Sequence, residues 1–299
     1  MLTIFTTPKP FSGHTEIIQI NAIRSWFALD PRPEIILIGN DEGTAEAASR
    51  LEVKHVVDVV HNEYGTPLIN SIFDIARDIS SYPLLCYVNA DIILLNDFLA
   101  AVQRVHLESF LMVGQRWDLE VNEMLNFDDA QWESQLRARI AEHGKLHSKS
   151  GIDYFVYPRG LYDNIPPFAI GRTSWDNWFI YRALSAKAAV IDATKAITAI
   201  HQNHDYSHSI GGETGVWKGP EAVRNQELAG YGEHALTLEY ANWTLTSRRI
   251  RRALTLRNLY FRLDAATRLV SYLHFLRGPM KMLTRLLITI RSELGITED

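Results

Sequence analysis

Leu84–Phe98, "LLCYVNADIILLNDF", is the stretch whose reading decides the fold. Between Leu84 and Leu95, every residue flanking the polar trio Asn89-Ala90-Asp91 is aliphatic or aromatic, Cys86 excepted. A run that is apolar at consecutive positions, without alternation, predicts a strand buried on both faces of a parallel sheet. Burying an unpaired carboxylate in such surroundings is very costly. Asp91 therefore has a partner or stands at an open strand end.

Upstream of this strand, strand and helix signals alternate. "LTIFTTP" reads as a strand closed by Pro8 and Pro10, and "TEIIQINAIRSWFAL" carries Ile17, Ile20, Ile23 and Phe27 at helical spacing. "EIILIGN" is a second buried strand, "TAEAASRL" a short helix, "KHVVDVV" a third strand and "PLINSIFDIARDISSY" the next helix. That order implies right-handed crossovers and a doubly wound, mostly parallel α/β sheet with helices on both faces. Such sheets bind ligands at the carboxyl ends of their strands, where Asp91 stands.

Downstream, "SFLMVGQRW" and "GIDYFVYPRGLY" predict strands, and "DDAQWESQLRARIAEHG" and "WDNWFIYRALSAK" predict helices. "AAVIDATKAITAIHQ" is a further strand region. Residues 202–235 show no period and read as a long loop, of the kind that is usually functional or mobile.

The composition, 46% hydrophobic and 22% charged over 299 residues, is that of a globular protein with room for one large α/β domain and an extension. One cysteine allows no disulfide framework, which fits a reducing, cytoplasmic setting. The N-terminus lacks a basic segment and a long apolar run, so no signal peptide is expected, and no apolar run predicts a membrane span. The net charge of −5 is uneven. Residues 247–299 hold 11 Lys plus Arg against 4 Asp plus Glu (+7), leaving 19 against 31 (−12) on residues 1–246. The boundary between the α/β domain, residues 1–246, and a basic tail, residues 247–299, is accordingly placed at 246/247.

The run "YGTPLINSIFDIARDISSYPLLCYVNADIILLNDF" resembles the central segment of GT-A glycosyltransferases. There, a helix with Asn and small residues, matched by Asn70 and Ala76, leads into a strand that ends in an Asp-any-Asp metal motif. Asn89-Ala90-Asp91 stands at that motif. "TIFTTPKPF" matches a first nucleotide-facing strand and "GNDEG" the turn after the second. "GIDYFVYPRG" and "RTSWDNWFIYRA" fall where such enzymes place acceptor-binding and catalytic carboxylates, and His201 matches a histidine that follows the last core strand. The likeness covers residues 1–230. The sequence departs from the motif at its first position, where Asn89 brings an amide and no charge; its oxygen could still accept from a ribose hydroxyl or a metal-bound water.

The resemblance implies transfer of a sugar from a nucleotide-diphosphate donor to a hydroxyl on a glycan or lipid-linked acceptor. A divalent cation, Mn²⁺ or Mg²⁺, would neutralise the departing diphosphate, with Asp91 and His201 as its ligands. His204 and His208 crowd the same stretch and are further candidates. Inverting transfer needs a general base, and Asp176 in "WDNW", between two indoles at a helix start, is the candidate. The same residue could simply cap its helix. Asp153 could hold the acceptor or donor sugar. Tyr154, Trp175 and Trp178 suit stacking on sugar rings, and equally suit a core. Thr6 and Pro8, with Asp41 and Glu42, lie at adjacent strand ends where a nucleobase would rest. Gly211–Gln226 resembles a lid whose Lys218 or Arg224 could reach the diphosphate.

From Ser247 onward, leucines at near-helical spacing interleave with arginines, and Gly278-Pro279 predicts a break into two helices. Basic amphipathic helices of this kind lie on anionic membrane surfaces, at the inner face for a cytoplasmic protein, and here over residues 247–291. A helical hairpin packed on the catalytic domain or on a sister subunit gives the same pattern. Nucleic acid is not an expected partner, because the body is acidic. Two rival functions remain. A sugar nucleotidyltransferase would need a Gly-rich, cationic signature after the first strand, where this chain has only Lys9 and Gly13. A non-catalytic nucleotide- or glycan-binding scaffold is favoured by Asn89 and opposed by Asp91, Asp176 and His201.

Overall fold

The computed structural model describes residues 1–204, 212–279 and 282. The chain forms two compact units, Met1–Arg252 and Ala253–Asp299. The first begins with the expected alternation: β1 (Leu2–Thr6), α1 (Gly13–Phe27), β2 (Glu34–Ile38), α2 (Thr44–Leu51), β3 (Lys54–Val56), α3 (Ile69–Ile79) and β4 (Leu84–Val88). It continues through β5 (Ile92–Leu94), α4 (Asp97–Gln103), β6 (Phe110–Val113), β7 (Trp117–Leu119), α5 (Trp132–His143), β8 (Lys145–Leu146) and β9 (Tyr154–Pro158). Then come α6 (Trp175–Ser185), β10 (Ala189–Lys195), β11 (Ala199–Gln202), α7 (Gly212–Lys218), α8 (Pro220–Leu228), β12 (Trp243–Thr246) and β13 (Ile250–Arg252).

Nine strands form a mostly parallel sheet in the order β13-β12-β10-β6-β9-β4-β1-β2-β3. Within it β9 runs against β4 and β6, and β13 runs against β12. Neighbouring residues on one strand face opposite layers. Thus Ile4, Leu37 and Cys86 pack with Ile23 and Trp26 of α1, whereas Phe5, Ile36 and Tyr87 pack with Phe73 of α3 and Phe179 of α6. Because β2 lies on one side of β1 and β4 on the other, the sheet switches direction between β1 and β4. Chain crossovers leave that edge open, and a cleft forms at such a switch point.

The Leu84–Leu95 run is two strands, not one. β4 ends at Val88, the trio turns with Ile92 N–H bonded to Asn89 O at 3.1 Å, and β5 enters a second, four-stranded sheet ordered β5-β11-β7-β8. "AAVIDATKAITAIHQ" divides likewise, β10 in the large sheet and β11 in the small one, with a turn closed by Ala196 N–H to Ala193 O at 2.8 Å. In both segments apolar residues resume directly after a short polar break, so periodicity does not register the change of sheet. Trp26 fastens the junction by donating its indole N–H to Ile92 O at 2.9 Å.

Residues 212–228, read from sequence as loop and lid, are two helices. Asn225, fully buried on α8, brackets Ala169: Ala169 N–H donates to its Oδ1 and its Nδ2 donates to Ala169 O, both at 2.9 Å. Glu221 pairs with Arg172 at 2.6 Å and accepts from Asn62 at 2.7 Å. These bonds fix α8 in place, and the segment is helical where a loop was expected.

In the second unit, α9 (Leu256–Leu269) starts at a capping box in which Thr255 and Asn258 bond reciprocally. The helix stops at Val270, eight residues before the Gly278-Pro279 break expected from sequence, and short 3₁₀ turns follow over Ser271–Leu276. Leu256, Leu259 and Leu263, at i, i+3 and i+7, form an exposed apolar face. The second helix expected beyond Pro279 lies outside the described residues, as do His208 and Gly211. Among the described residues no helix is long and apolar enough to cross a membrane.

Candidate functional site

The turn after β4 places Asp91 at the switch point, 8% exposed. β11 runs antiparallel to β5 with His201 opposite Ile92, which carries the imidazole alongside Asp91. His204 follows two residues beyond the strand. Its Nε2 lies 3.1 Å from Asp91 Oδ2, and His201 Nε2 lies 3.9 Å from the same oxygen. Lys9, on the loop after β1, brings Nζ to 3.4 Å from His204 Nε2. Gln19 of α1 holds the Lys9 backbone from both sides, accepting from its N–H at 2.6 Å and donating to its carbonyl at 2.9 Å.

The donor atoms of Asp91, His201 and His204 lie within 4.8 Å of one another. Asp91 Oδ1 is buried with no hydrogen-bond partner among the described residues. A buried carboxylate oxygen left bare is costly unless something else meets it. One hard oxygen and two imidazoles suit a divalent first-row cation such as Mn²⁺. Burial pushes the Asp91 pKa up, but the His204 hydrogen bond and the charges of His201 and Lys9 outweigh it and hold the carboxyl well below the usual range. The donor set therefore fits a divalent cation.

A second layer surrounds the cluster. β7 runs parallel to β11 with Asp118 registered against His201. Arg116 Nε donates to Asp118 at 3.0 Å, and its other arm bonds Asp153. His147 Nδ1 meets Asp118 Oδ2 at 2.8 Å. Sequence reading missed Arg116, Asp118 and His147. The signal available for the first two is their i, i+2 spacing in "QRWDL", which puts them on one face of a strand. It also ranked His204 below His201, although His204 is the nearer imidazole to Asp91.

Asn89 is engaged at both ends of its amide. Nδ2 donates to Asp153 Oδ1 at 2.6 Å, Oδ1 accepts from Tyr87 OH at 3.0 Å, and its backbone N–H bonds Asp153 O at 2.9 Å. An aspartate here would set two carboxylates against each other, so the departure from Asp-any-Asp has a local cause in this chain.

Ser174, with a left-handed φ of +82°, precedes α6 and sets Asp176 in its first turn. A non-glycine residue in that region costs of order 1–3 kcal/mol and needs surrounding structure to hold it. Asp176 keeps part of its surface accessible. Packing around its carboxyl nevertheless desolvates it, and the Asp153 charge adds to the effect. Together they push its pKa up to about 7 against the opposing backbone N–H groups of Asn177 and Asp176 and the charge of Arg116.

Along β1, Thr6 and Thr7 have buried hydroxyls without hydrogen-bond partners among the described residues, and so does Asn70 Oδ1 on α3. Pro8 is buried at the same strand end. Asp41 and Glu42 are exposed in the turn after β2, where Phe11 N–H bonds Glu42 O at 2.8 Å and ties the two loops together. Beside His204 and Lys9 opens a cleft of about 760 Å³, lined also by Ser12, His14, Asn122 and Asn203.

Other candidates stand elsewhere. Tyr154 is fully buried, its ring edge-on to Phe98, so the expectation that it stacks on a sugar is corrected. Trp175 packs on Tyr87 and Phe155, and Trp178 on Phe168 and Phe179. Both are core residues, and their stacking faces are taken by protein. Lys218 is exposed at the end of α7 and makes no hydrogen bond or ion pair among the described residues.

No family model matches the chain, and no curated protein matches it. Among solved structures it is similar to S. aureus TarS in complex with UDP-GlcNAc, at 14% identity and a TM-score of 0.45, over 69% of this chain and 60% of that one. It is similar to GalNAc-T7 with UDP, GalNAc and Mn²⁺ at 13% identity and a TM-score of 0.48, over 78% of this chain and 49% of that one. A mycobacterial protein is similar at 13% identity and a TM-score of 0.43, over 68% of each chain. The chain spans between 36% and 60% of the length of the TarS chains. These likenesses concern the arrangement of strands and helices. The chain is a mixed α/β protein with a large, mostly parallel central sheet.

Proposed function

We propose that the first unit is a metal-assisted glycosyltransferase, moving a sugar from a nucleotide-diphosphate donor to a hydroxyl of a glycan or lipid-linked acceptor. The observation that carries this reading is Asp91 at the switch point, one buried oxygen bare, facing two imidazoles and an ammonium. Asp91, His201 and His204 would hold the cation, which as a Lewis acid offsets charge growing on the leaving diphosphate. Lys9, fixed by Gln19, adds a positive charge from the chain itself. The bare polar atoms of Thr6, Thr7 and Asn70 receive the donor, with Pro8, Asp41 and Glu42 framing its base. Asp153, clamped by Asn89 and Arg116, faces the sugar. Asp176, titrating at about 7, takes the proton from the acceptor hydroxyl in an inverting displacement.

The test is a thermal-shift panel of UDP, GDP, CDP, dTDP and ADP, each with and without Mn²⁺, on wild type and Asp91→Ala. A ligand at about 100 times its Kd adds roughly 2.7 kcal/mol. One nucleotide that stabilises only with metal, and only with Asp91 intact, is the expected result. Stabilisation without metal dependence would favour a binding scaffold, and release of pyrophosphate from a nucleoside triphosphate and sugar phosphate would favour a nucleotidyltransferase. Silence across the panel would sink the reading.

The second unit belongs to the same proposal; it starts at Ala253 and not at Ser247, because β13 keeps Ile250–Arg252 in the large sheet. The exposed face of Leu256, Leu259 and Leu263, flanked by Arg257 and Arg262, fits an anionic membrane surface at its inner, cytoplasmic face. Sedimentation with phosphatidylserine vesicles should fall as salt rises. Salt-independent self-association instead would assign the face to a second copy of the chain.

A further inference from the structure

We infer that Asp118 is the positioning residue of the cation cluster: it orients the His201 ring from its far side and is itself held by Arg116 and His147. The inference rests on the proposal that Asp91, His201 and His204 hold a divalent cation.

The His201 ring lies between two carboxylates, one at each nitrogen. Nε2 faces Asp91 at 3.9 Å, and Nδ1 faces Asp118 Oδ1 at 3.3 Å. The β7–β11 register sets this pair, because His201 and Asp118 are opposed on adjacent parallel strands. His201 Nδ1 is buried, and the 3.3 Å approach is out of line for a hydrogen bond, so this nitrogen has no hydrogen bond among the described residues. A ring whose Nε2 binds a cation carries its proton on Nδ1 and needs an acceptor there. Asp118 is placed to be that acceptor after a small rotation of the ring.

Asp118 cannot swing away easily. His147 Nδ1 holds one of its oxygens at 2.8 Å and Arg116 Nε the other at 3.0 Å. Arg116 is only 15% exposed and also grips Asp153, which Asn89 grips in turn. One guanidinium thus links the carboxylate behind His201 to the carboxylate beside the turn that carries Asp91. A merely structural ion pair would need neither the alignment with His201 nor the second imidazole.

The test is Mn²⁺ binding by the full chain, followed by electron paramagnetic resonance, for wild type, Asp91→Ala, Asp118→Ala, Asp118→Asn and His147→Ala. The Co²⁺ absorption spectrum serves as a second readout of ligand geometry. Loss of a carboxylate behind a ligating histidine typically weakens metal binding about 10- to 100-fold, and that loss is expected for Asp118→Ala. Asp118→Asn keeps an oxygen acceptor and should recover part of it, with a shifted Co²⁺ band. His147→Ala should lose less than Asp118→Ala. Should Asp118→Ala fail to fold, the near-isosteric Asp118→Asn decides through its Co²⁺ band and Mn²⁺ affinity. Wild-type affinity and an unshifted band in folded Asp118 variants, with binding lost in Asp91→Ala, would overturn the inference and leave the cation proposal standing. Mn²⁺ binding that is equally weak in wild type and Asp91→Ala would overturn both.

Discussion

Asp91 and Asp176 are two carboxylates of the first unit with opposite surroundings. Around Asp91 the small sheet gathers His201 and His204, and the loop after β1 supplies Lys9, so burial is answered by opposite charge. Around Asp176 the neighbours are the aromatic layer packed on α6, and the charge that acts on it most strongly is another carboxylate, Asp153. The first group is held ionised and the second is pushed toward neutrality. Two carboxyls driven apart in this way can serve different roles at one pH, one as a fixed anion and one as a proton carrier.

The most severe tests of that contrast are at the carboxylates themselves. Asp176→Asn is expected to lower kcat about 10²- to 10⁴-fold while leaving nucleotide affinity within about threefold, read by steady-state kinetics beside a binding isotherm. A loss confined to donor binding would make Asp176 a binding residue. Phe179 is the hub of the aromatic layer, with ring centroids 4.5 Å from Tyr162 and 4.6 Å from Phe73. Phe179→Ala should cost about 3–5 kcal/mol in urea unfolding, the usual toll of a large cavity. A much smaller cost would show that the layer repacks and that the walls beside Asp176 are soft.

Asn89→Asp comes next. It sets a second carboxylate 2.6 Å from Asp153 and should destabilise by about 1–3 kcal/mol, least at acid pH where one of the pair is protonated. The pH dependence of Asp176 is subtler. Its pKa is raised in the fold, so its contribution to stability is full below the ordinary carboxylate pKa and is lost as pH rises through about 7. Asp176→Asn should therefore gain stability relative to wild type on going from pH 4 to pH 8, and a flat difference would place the carboxyl in open solvent. The smallest effect is expected at Lys218, exposed and unbonded among the described residues: Lys218→Ala should keep kcat/KM within about twofold.

Much of the layout was legible because local rules suffice for it. β1 to β4 and α1 to α3 follow from unbroken apolar runs separated by helical periods, and the switch point follows from their order. The helices over 212–228 were hidden because their buried side chains include Glu221 and Asn225, polar groups that look solvent-facing until Arg172 and Ala169 are placed against them. The aromatic candidates misled for the converse reason. A tryptophan suits a sugar and a core equally well, and only packing tells the two apart.

The sequence by itself determined that Asp91 would have a partner or stand at an open strand end, since an unpaired carboxylate in an apolar run is very costly to bury. It also determined the charge division between body and tail, which is a matter of composition. Tertiary structure alone decided what meets Asp91. His201 and His204 lie more than a hundred residues away, and they arrive there only because the chain leaves the large sheet at Asn89-Ala90-Asp91 and builds a small one with β11. Asp118 faces His201 by strand register, which no residue spacing encodes. Asn89 is an amide because of Asp153, a neighbour brought in by β9 running antiparallel beside β4.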